Sequence, residues 1–516
     1  YTAFYTLSLH DALPICAMNG FLLACVLWGT IAAAAAAAGD LTLDGRKRLF
    51  LDDAAVASLE NVTRRVHPAE KFAGNPVLRP TEPWEGAVVL VYGSVLREDD
   101  GAFRMWYLCA KGVAYAESSD GIVWQKPALD VVQHEGRATN VVIDRDAAEG
   151  APGCLPHFYE VFGVLKDARE PNPERRYKMG FLSIERDYAG PREDPFHRGQ
   201  RRGLGVAASP DGIHWTLVDS WATEAVCDGA THWMYDPAGE RYVVYGRTKQ
   251  VSDALKEAWS GDAWFDANFW GRAVARAESP DFLRWNPADP ASAPVVMEAD
   301  VSDPVATEIY GMNVFPYGAH YVALVQRFHS RPGDVFLDLQ LGVSHDTVHF
   351  ERVGDRTPFI PCGGMGSWDR FNNSAANNPP IETGDELRFY YGGRTYRHSP
   401  YDGPDKGVSG GAIGFASIPR DRFVSLGASF DGGTVITRPM QVAGATLHVN
   451  ADAEFGTITV EAVDTDGTVR AKSGPMNRDG LDIAVAWEEG GLECVAGPVS
   501  LRFRLENALL YAFWCE

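Results

Sequence analysis

The chain has 516 residues, of which 46% are hydrophobic and 11% aromatic, so it can bury a large core and is long enough for two or three domains. A formal net charge of −22 argues against nucleic acid or an anionic membrane surface as partners. The charge is compatible with neutral polymers such as polysaccharides, although acidity by itself selects no ligand.

Residues 1–39 are expected to lie outside the folded protein. The first methionine is Met18, and the residues before it resemble translated sequencing adaptor. From Met18 an apolar run ends in small residues, as in a secretory signal, although the usual basic segment is missing. An uncleaved membrane anchor and a lipoprotein site at Cys25 are the alternatives. We expect a mature protein that starts near Gly39 or Asp40 and is secreted or periplasmic.

A short phrase occurs five times along the chain, the fifth time in degraded form. Each copy has an apolar strand, a serine, an aspartate two residues later (four in the fifth copy) and a large aromatic residue. The aligned serines are Ser118, Ser209, Ser279, Ser344 and Ser417. The resulting unit of roughly 65 to 90 residues is right for a four-stranded blade with loops. The sequence therefore predicts an all-β chain with a five-bladed β-propeller over residues 40–430.

The phrase has a structural explanation. Its Asp and Ser can accept hydrogen bonds from the amides of a hairpin turn, and its Gly, where present, supplies a positive φ. The aromatic residue can fold back between neighbouring sheets. The phrase is similar to the Asp-box of sialidases and to the blade hairpins of five-bladed glycosidases, and it indicates fold rather than activity.

The two ends of the chain add further strands. After Phe423 the phrase stops, and from about Gly433 the sequence alternates as plain strands do. This pattern predicts a small C-terminal β-sandwich over residues 431–516, without catalytic residues. Near the start, residues 48–53 (RLFLDD) are expected to add a strand that closes the propeller ring.

Three features together resemble a known group of enzymes: FLDD near the start, NPVLRPTEPWEG before the first blade, and the C-terminal sandwich. The chain is similar over about residues 46–516 to the invertase-type and arabinanase-type glycoside hydrolases, families 32 and 43, and to their uncharacterised bacterial relatives. The resemblance implies a central funnel lined by acidic side chains that hydrolyse a glycosidic bond. The family 32 signature Trp-Met-Asn-Asp-Pro-Asn-Gly is absent, so residue roles are not carried over.

Acidic residues stand near the start of four of the five predicted innermost strands: Glu85, Asp228, Glu308 and Asp369. The remaining strand brings His157 and Glu160 instead. Carboxylates that converge raise one another's pKa, which keeps a general acid protonated beside an ionised partner.

We therefore predict Glu308 as proton donor and Asp228 as base or nucleophile, with Glu85 or Asp369 orienting the substrate. Glu85 could instead cap a turn, and Asp369 could hold its own loop. Sugar hydroxyls need planar polar partners, and sugar rings stack on aromatic rings. The predicted sugar contacts are His157, His232, Arg247, Tyr310, Trp368, Arg394 and His398.

The sequence predicts an exported glycoside hydrolase that acts on a plant, algal or microbial polysaccharide or oligosaccharide. A non-catalytic glycan-binding or scaffold propeller is the alternative. A phosphorylase would need several Arg, Lys or His side chains beside the acids, a question that Arg247, Arg394 and His398 leave open. The cysteine spacing is not typical of a zinc site and no cofactor is predicted, although a structural calcium ion in the channel is left open.

Overall fold

The structure is a computed structural model, and it describes residues 41–188, 199–225, 228–330, 336–398, 410–495 and 497–516. The predicted leader, residues 1–39, lies outside the described residues. The described chain is nearly all β, as predicted, with two short α-helices in its described part, α1 (Asp253–Trp259) and α2 (Ala263–Asn268). None of the described helices is long and apolar enough to cross a membrane.

Short strands come first in the chain, and the first two four-stranded antiparallel sheets follow. The short strands are β1 (Thr42–Leu43), β2 (Arg48–Leu49), β3 (Val56–Glu60), β4 (Thr63–Val66) and β5 (Glu70–Lys71). Sheet one contains β6 (Leu90–Arg97), β7 (Phe103–Leu108), β8 (Gly112–Ser118) and β11 (Val141–Asp144), with a side hairpin of β9 (Leu129–His134) and β10 (Arg137–Thr139). Sheet two contains β12 (Phe158–Lys166), β13 (Tyr177–Glu185), β14 (Arg201–Ser209) and β15 (Thr216–Thr223).

Three further antiparallel sheets continue the same order, and both helices lie between the second and third strands of sheet three. Sheet three contains β16 (His232–Asp236), β17 (Arg241–Thr248), β18 (Ala273–Ser279) and β19 (Val295–Met297). Sheet four contains β20 (Thr307–Tyr317), β21 (His320–His329), β22 (Phe336–Ser344) and β23 (Phe350–Arg352). Sheet five contains β24 (Ser374–Ala375), β25 (Ile381–Thr383), β26 (Glu386–Arg394) and β27 (Gly411–Pro419), and β5 pairs with β27.

The first strand of each sheet packs against its neighbours. β6 contacts β12, β12 contacts β16, and β16 contacts β20, while β24 contacts β6 on one side and β21 and β22 on the other. The four longer first strands, β6, β12, β16 and β20, are rich in aliphatic and aromatic residues because they are covered on both faces. The first and second strands of a sheet are antiparallel, so the start of each first strand lies beside the end of the second.

The last strands of the chain form two larger sheets together with strands from its beginning. One sheet has the order β34-β31-β37-β28-β4, with β2 also on β37, and the other has the order β3-β29-β36-β32-β33-β35. Phe503 and Phe513, from the two sheets, have ring centroids 5.7 Å apart. The late strands are β28 (Val424–Ala428), β29 (Gly433–Thr437), β30 (Gln441–Val442), β31 (Leu447–Asp452), β32 (Thr457–Val463), β33 (Val469–Ser473), β34 (Asp479–Ala484), β35 (Trp487–Glu489), β36 (Ser500–Glu506) and β37 (Ala508–Cys515).

The prediction that residues 48–53 complete the ring of sheets is wrong. Arg48 and Leu49 pair with Phe513 and Ala512 of β37 instead, because the apolar side chains that follow are buried with that sheet. The strand that completes sheet five is the charged β5, which pairs with β27. The sheets at the chain ends thus include residues 48–66, which the predicted boundaries place in the propeller.

The repeated phrase forms the hairpin turns that were predicted. In sheet two the Ser209 hydroxyl accepts a hydrogen bond from the Gly212 amide at 2.9 Å, and Asp211 Oδ1 accepts from the next two amides at 2.8 and 2.9 Å. The first, third and fourth copies repeat the Asp bonds to two successive amides. In the degraded fifth copy, Asp421 accepts from the Tyr317 hydroxyl and Lys47 instead.

These turns also join neighbouring sheets. The Gly212 carbonyl of sheet two accepts a hydrogen bond from the Trp106 indole of sheet one at 2.6 Å. The Gly121 carbonyl of sheet one accepts from the Tyr390 hydroxyl of sheet five at 2.7 Å. The Thr347 carbonyl of sheet four accepts from the Tyr245 hydroxyl of sheet three at 3.0 Å. The phrase therefore sets the contact between one sheet and the one before it.

Candidate active site

A segment that contains Ala376 and Asn377, just after β24, lies among the first strands of the sheets. The Asn377 amide donates to the Gly93 carbonyl of β6 at 2.8 Å, and its side chain exchanges hydrogen bonds with the backbone of Trp233 in β16. Asn313 of β20 donates from its side chain to the Ala376 carbonyl at 2.8 Å. Through these hydrogen bonds the segment connects β6, β16 and β20, the first strands of three sheets.

Glu160 is the third residue of β12 and stands near the start of that strand. It is a half-buried residue. Its Oε1 would lie only 2.1 Å from a Cβ at position 229, so glycine at that position lets the carboxyl group approach the backbone beside Asp228. Burial and the negative charge of Asp228 raise the pKa of Glu160 to about 7, against the opposing effect of Arg247 and Arg394. Glu160 therefore exchanges a proton near neutral pH.

Asp228 precedes β16 and accepts hydrogen bonds from two arginines. Its Oδ2 lies 2.6 Å from Arg247 Nη1, and its Oδ1 accepts from Arg202 Nη1 at 3.1 Å and from the Gly229 amide at 2.9 Å. The side chain is 22% exposed. Two guanidinium groups favour the ionised carboxylate, so Asp228 supplies a fixed negative charge beside the protonated form of Glu160.

Arg247, near the end of β17, is held in a single orientation. Its Nη2 donates to the Gly229 carbonyl at 2.9 Å and to the Tyr310 carbonyl at 3.1 Å, and its guanidinium lies 3.7 Å from the centroid of the Tyr310 ring. The side chain is 3% exposed. The group is therefore pre-organised to position Asp228.

The wall next to Arg247 is made of aromatic and basic groups. His398 Nε2 lies 2.8 Å from the Tyr310 hydroxyl, and burial together with Arg272 and Arg394 holds the pKa of His398 well below its usual range. His398 is thus a neutral hydrogen-bonding group at neutral pH. Burial, followed by the charge of Tyr310, raises the pKa of Tyr92, so its hydroxyl stays protonated. Tyr92 and Arg394 also act electrostatically on Glu160 and on each other.

Glu308 lies near this cluster but is enclosed. Its side chain is 1% exposed, Oε1 accepts from the Arg272 amide at 2.9 Å, and Oε2 forms an ion pair with the Arg272 guanidinium at 2.5 Å. The Arg272 guanidinium also lies 5.0 Å from the centroid of the Phe328 ring. A carboxylate with both oxygens engaged and no exposure cannot pass a proton to a substrate, so this geometry does not suit the predicted donor role.

The two remaining predicted acids are also buried. Glu85 accepts from the Tyr107 hydroxyl at 2.6 Å and Lys126 at 2.7 Å, and it closes a capping box with Glu82. Asp369 accepts from Lys71 at 2.6 Å and from the Tyr391 hydroxyl at 2.8 Å. These are the turn-capping and loop-holding roles that were considered as alternatives.

Three predicted sugar contacts lie outside the cluster. His157 occupies a turn with a φ of 63°, and its ring centroid is 5.2 Å from that of Trp221. His232 is buried, which lowers its pKa to about 4. Trp368 stacks on Tyr391 with centroids 5.3 Å apart. The structure brings together five other predicted residues: Asp228, Arg247, Tyr310, Arg394 and His398.

Sequence reasoning did not select Tyr92 or Arg202, and it placed His157 ahead of Glu160. The available signal for Glu160 was an acidic residue inside the otherwise apolar strand FYEVFGVL. One pocket of about 750 Å³ lies between sheets three and four, and another of about 430 Å³ has Arg145 and Tyr159, the neighbour of Glu160, in its lining. Neither Glu160 nor Asp228, whose side chain is 22% exposed, is in the lining of these pockets.

No protein-family model matches the chain, and a search of curated proteins finds no match. Similar solved structures include an N-acetylgalactosamine deacetylase from F. plautii in complex with blood group B trisaccharide, with 15% identity, a TM-score of 0.39, and coverage of 74% of this chain and 96% of that one. Another comes from the GH130 family of mannoside phosphorylases, which contains glycoside hydrolases that target β-1,2 mannosidic linkages in Candida mannan; it has 15% identity, a TM-score of 0.43, and coverage of 69% and 95%. A family 43 arabinoxylan arabinofuranohydrolase from Bacillus subtilis has 10% identity, a TM-score of 0.38, and coverage of 87% and 99%. Glycoside hydrolases are thus among the structural neighbours, at low identity.

Proposed function

We propose that this protein is a glycoside hydrolase in which sheets one to five are the blades of a β-propeller. The succession of first-strand contacts, with β24 returning to β6, supports a closed ring of five blades. The two larger sheets, joined by the contact of Phe503 with Phe513, would then form a β-sandwich built from both chain ends. The proposed funnel is the end of the ring at which the first strands begin.

One observation carries the chemistry: a carboxyl group with a pKa of about 7 stands beside a carboxylate that two arginines hold ionised. Glycosidases divide the work between two such groups. We assign Glu160 as the general acid that protonates the leaving oxygen. We assign Asp228 as the base or nucleophile on the other side of the scissile bond.

The other groups of the cluster position the substrate. Arg247 fixes Asp228, and its contact with the Tyr310 backbone makes that orientation rigid. Neutral His398, the protonated Tyr92 hydroxyl and the Arg394 guanidinium present donors and acceptors suited to sugar hydroxyls. In this proposal Glu308 supports the wall through Arg272 and does not contact the substrate.

The proposal is tested by screening the purified protein against arabinan, fructan, galactan and xylan oligosaccharides. On a responsive substrate, Glu160→Gln should lower kcat by a factor of about 100 or more, because Gln keeps the shape of the group and loses its transferable proton. Asp228→Asn should cause a loss of at least similar size. The pH profile of kcat/KM should fall above about pH 7, where Glu160 loses its proton.

Glu240→Gln is the matched control, because Glu240 is an exposed residue in the hairpin at the far end of sheet three. It should leave kcat within about twofold of the wild type. Wild-type turnover in Glu160→Gln would remove Glu160 from the acid role. Binding of an oligosaccharide without turnover would favour the glycan-binding alternative.

Phosphorolysis is the second candidate, favoured by the convergence of Arg247, Arg394 and His398 beside the two carboxyl groups. In that reaction inorganic phosphate, rather than water, attacks the sugar carbon as the glycosidic bond breaks. Repeating the screen with and without phosphate separates the two reactions. Release of a sugar phosphate in place of the free sugar would support phosphorolysis, and a product unchanged by phosphate would support hydrolysis.

The proposed substrate class is a neutral polysaccharide or oligosaccharide, with the sugar and linkage to be set by the screen. The negative net charge of the chain suits a neutral polymer better than an anionic one. Export to the periplasm or the medium remains part of the proposal, and it rests on the apolar run after Met18.

A further inference from the structure

A second cluster of titratable groups lies at the opposite end of sheet four from Glu308. It joins three segments: Asp52 follows β2, His320 is the first residue of β21, and His345 lies in the hairpin after β22. Each offers one donor atom, and the three atoms all lie within 4.8 Å of one another. Nothing in the proposed chemistry uses this cluster.

The segments that carry these side chains are fixed against each other. The Ala319 amide donates to the Lys47 carbonyl at 3.0 Å, and Gly318, with a φ of 59°, would place a Cβ only 2.3 Å from the same carbonyl oxygen. Asp52 Oδ1 accepts from the Ala54 amide at 2.9 Å. Asp52 Oδ2 is thereby turned toward His345 Nε2, which lies 2.7 Å away.

His320 is the independent sign that a ligand belongs here. It is only 6% exposed, and its Nδ1 is buried without a hydrogen-bond partner. Hydrogen bonds found among the described residues do not involve its ring. Buried polar atoms normally have a partner, and an orphan of this kind requires an explanation.

We propose that Asp52, His320 and His345 bind a divalent transition-metal ion, and that Zn²⁺ is the ion whose chemistry fits best. Two imidazoles and one carboxylate are ligands that Zn²⁺ accepts, with metal–ligand bonds of about 2.0 to 2.2 Å. Solvent can supply the fourth ligand because the His345 side chain is 44% exposed. The same exposure lets that ring adjust, so that the donor atoms close around the ion.

The proposed ion would replace one hydrogen bond and would lie near two charged side chains, Arg48 and Asp44. His345 Nε2 and Asp52 Oδ2 lie 2.7 Å apart, and Zn²⁺ bound between them would replace this hydrogen bond. Arg48 is the opposing positive charge and acts on both histidines. Asp44, which acts on Arg48 in turn, partly offsets it.

The proposed ion would join the start of the chain to sheet four. Residues 48–66 pair in the two sheets at the chain ends, so a metal bond at Asp52 would tie those sheets to the hairpin that carries His320. This predicts a structural site, whose occupancy raises the unfolding midpoint by binding the folded state alone.

The test is calorimetric titration of ZnCl₂ into the full, tag-free chain after treatment with a chelator. We expect one Zn²⁺ per chain, a higher unfolding midpoint with Zn²⁺, and a Kd at least about 10-fold weaker in His345→Ala, which removes an exposed ligand. Co²⁺ in place of Zn²⁺ should give a visible absorption band that His345→Ala abolishes. This variant is preferred to His320→Ala, because His320 is buried and its loss could disturb folding.

His349→Ala is the matched control, since His349 is an exposed histidine of the same hairpin that pairs with Asp346. It should bind Zn²⁺ as the wild type does. The proposal is overturned by a stoichiometry well below one, by unchanged affinity in His345→Ala, or by equal losses in the two variants. None of these readouts depends on a sugar substrate, so their outcome is separate from that of the proposed function.

Discussion

At the scale of single residues, the protonation of Glu160 follows from which neighbours approach it. The charge of Asp228 acts on its carboxyl group, while Arg202 and Arg247 donate hydrogen bonds to Asp228. This asymmetry separates the pKa values of the two carboxyl groups. The arginines stabilise the ionised form of Asp228, and the negative charge of Asp228 favours the protonated form of Glu160. An exchange of these roles would require Arg247 to turn away from its two backbone acceptors.

The raised pKa of Glu160 predicts a pH-dependent cost in stability. Below pH about 4.5 the group is protonated in both the folded and unfolded states and has no effect. Between pH 4.5 and about 7 the unfolded chain loses this proton first, so the free energy of unfolding falls as pH rises. Above pH 7 the loss in free energy of unfolding is constant, at up to about 3 kcal/mol, since one pKa unit corresponds to about 1.4 kcal/mol.

Glu160→Gln removes this cost, so it should be as stable as the wild type near pH 4 and more stable near pH 8. Urea unfolding at a series of pH values measures the difference. Glu240→Gln, an exposed change, should show the same difference at every pH. A stability gap between Glu160→Gln and the wild type that does not vary with pH would mean that Glu160 has an ordinary pKa in the folded protein.

Glu308→Gln is predicted to damage folding rather than catalysis. The substitution leaves the Arg272 guanidinium, whose side chain is 10% exposed, without its anionic partner. Breaking one side of a buried ion pair costs about 3 kcal/mol or more. The unfolding midpoint should fall, while kcat of the remaining folded protein stays within a few-fold of the wild type. A 100-fold loss of kcat with unchanged stability would restore the predicted donor role of Glu308.

The sequence could indicate which residue types belong in the site, but not which of them are exposed. Asp228 and Arg247 are 19 positions apart and meet across sheet three. The partner that encloses Glu308 is Arg272, 36 positions away, and no local pattern signals that pair. His157 lies in a turn just before β12, whereas Glu160 is the third residue of that strand, and the sequence does not show where the strand begins.

At the scale of elements, the repeated phrase was the most informative part of the sequence. It depends only on local chemistry: a serine and an aspartate that satisfy amides of their own turn, and a residue with positive φ directly after the aspartate. Local chemistry of this kind can be read without knowing the fold. The fifth copy departs because two residues lengthen it, and its Asp421 is then bonded to Tyr317 and Lys47.

A comparison of Gly212 with Gly101 measures how tightly the turn of sheet two packs against Trp106 of sheet one. Gly212 has a φ of 81°, and a Cβ there would lie 2.6 Å from Cζ2 of the buried Trp106 ring. Gly101 has a similar φ of 87°, but a Cβ there would meet nothing within 4 Å. Gly101→Ala should lower the free energy of unfolding by about 1 kcal/mol, the cost of the backbone conformation alone. Gly212→Ala should lose about 1 to 3 kcal/mol more, because the Trp106 ring must shift.

Chemical unfolding of both variants measures that difference, and Trp106 fluorescence should change only in Gly212→Ala. Equal decreases in the free energy of unfolding of the two variants would show that position 212 is not tightly packed against Trp106 of sheet one. The same pair of substitutions leaves every group of the proposed site unchanged, so activity at a temperature where both variants are folded should match the wild type.

At the scale of the whole molecule, the two ends of the chain belong to the same sheets. β2 pairs with β37, β3 with β29, and β4 with β28. Sequence reasoning divided the chain at residue 431 because the repeated phrase ends there, and a break in a repeat does not reveal which strands pair across long separations. Strand pairing between residues more than 350 positions apart is set by burial of whole faces, such as the contact of Phe50 with Phe513, whose centroids are 5.7 Å apart.

This pairing predicts that the chain cannot be cut at the boundary that its sequence suggests. A fragment of residues 42–430 would keep β3 without β29 and β2 without β37, and would expose apolar side chains of residues 49–51 that are now buried. We expect this fragment to be insoluble or to unfold at a much lower temperature than residues 42–516. Size-exclusion chromatography and thermal unfolding of the two fragments measure the difference. A monomeric 42–430 fragment with the same unfolding midpoint as the longer chain would show that the sheets at the chain ends contribute nothing to the stability of the five that precede them.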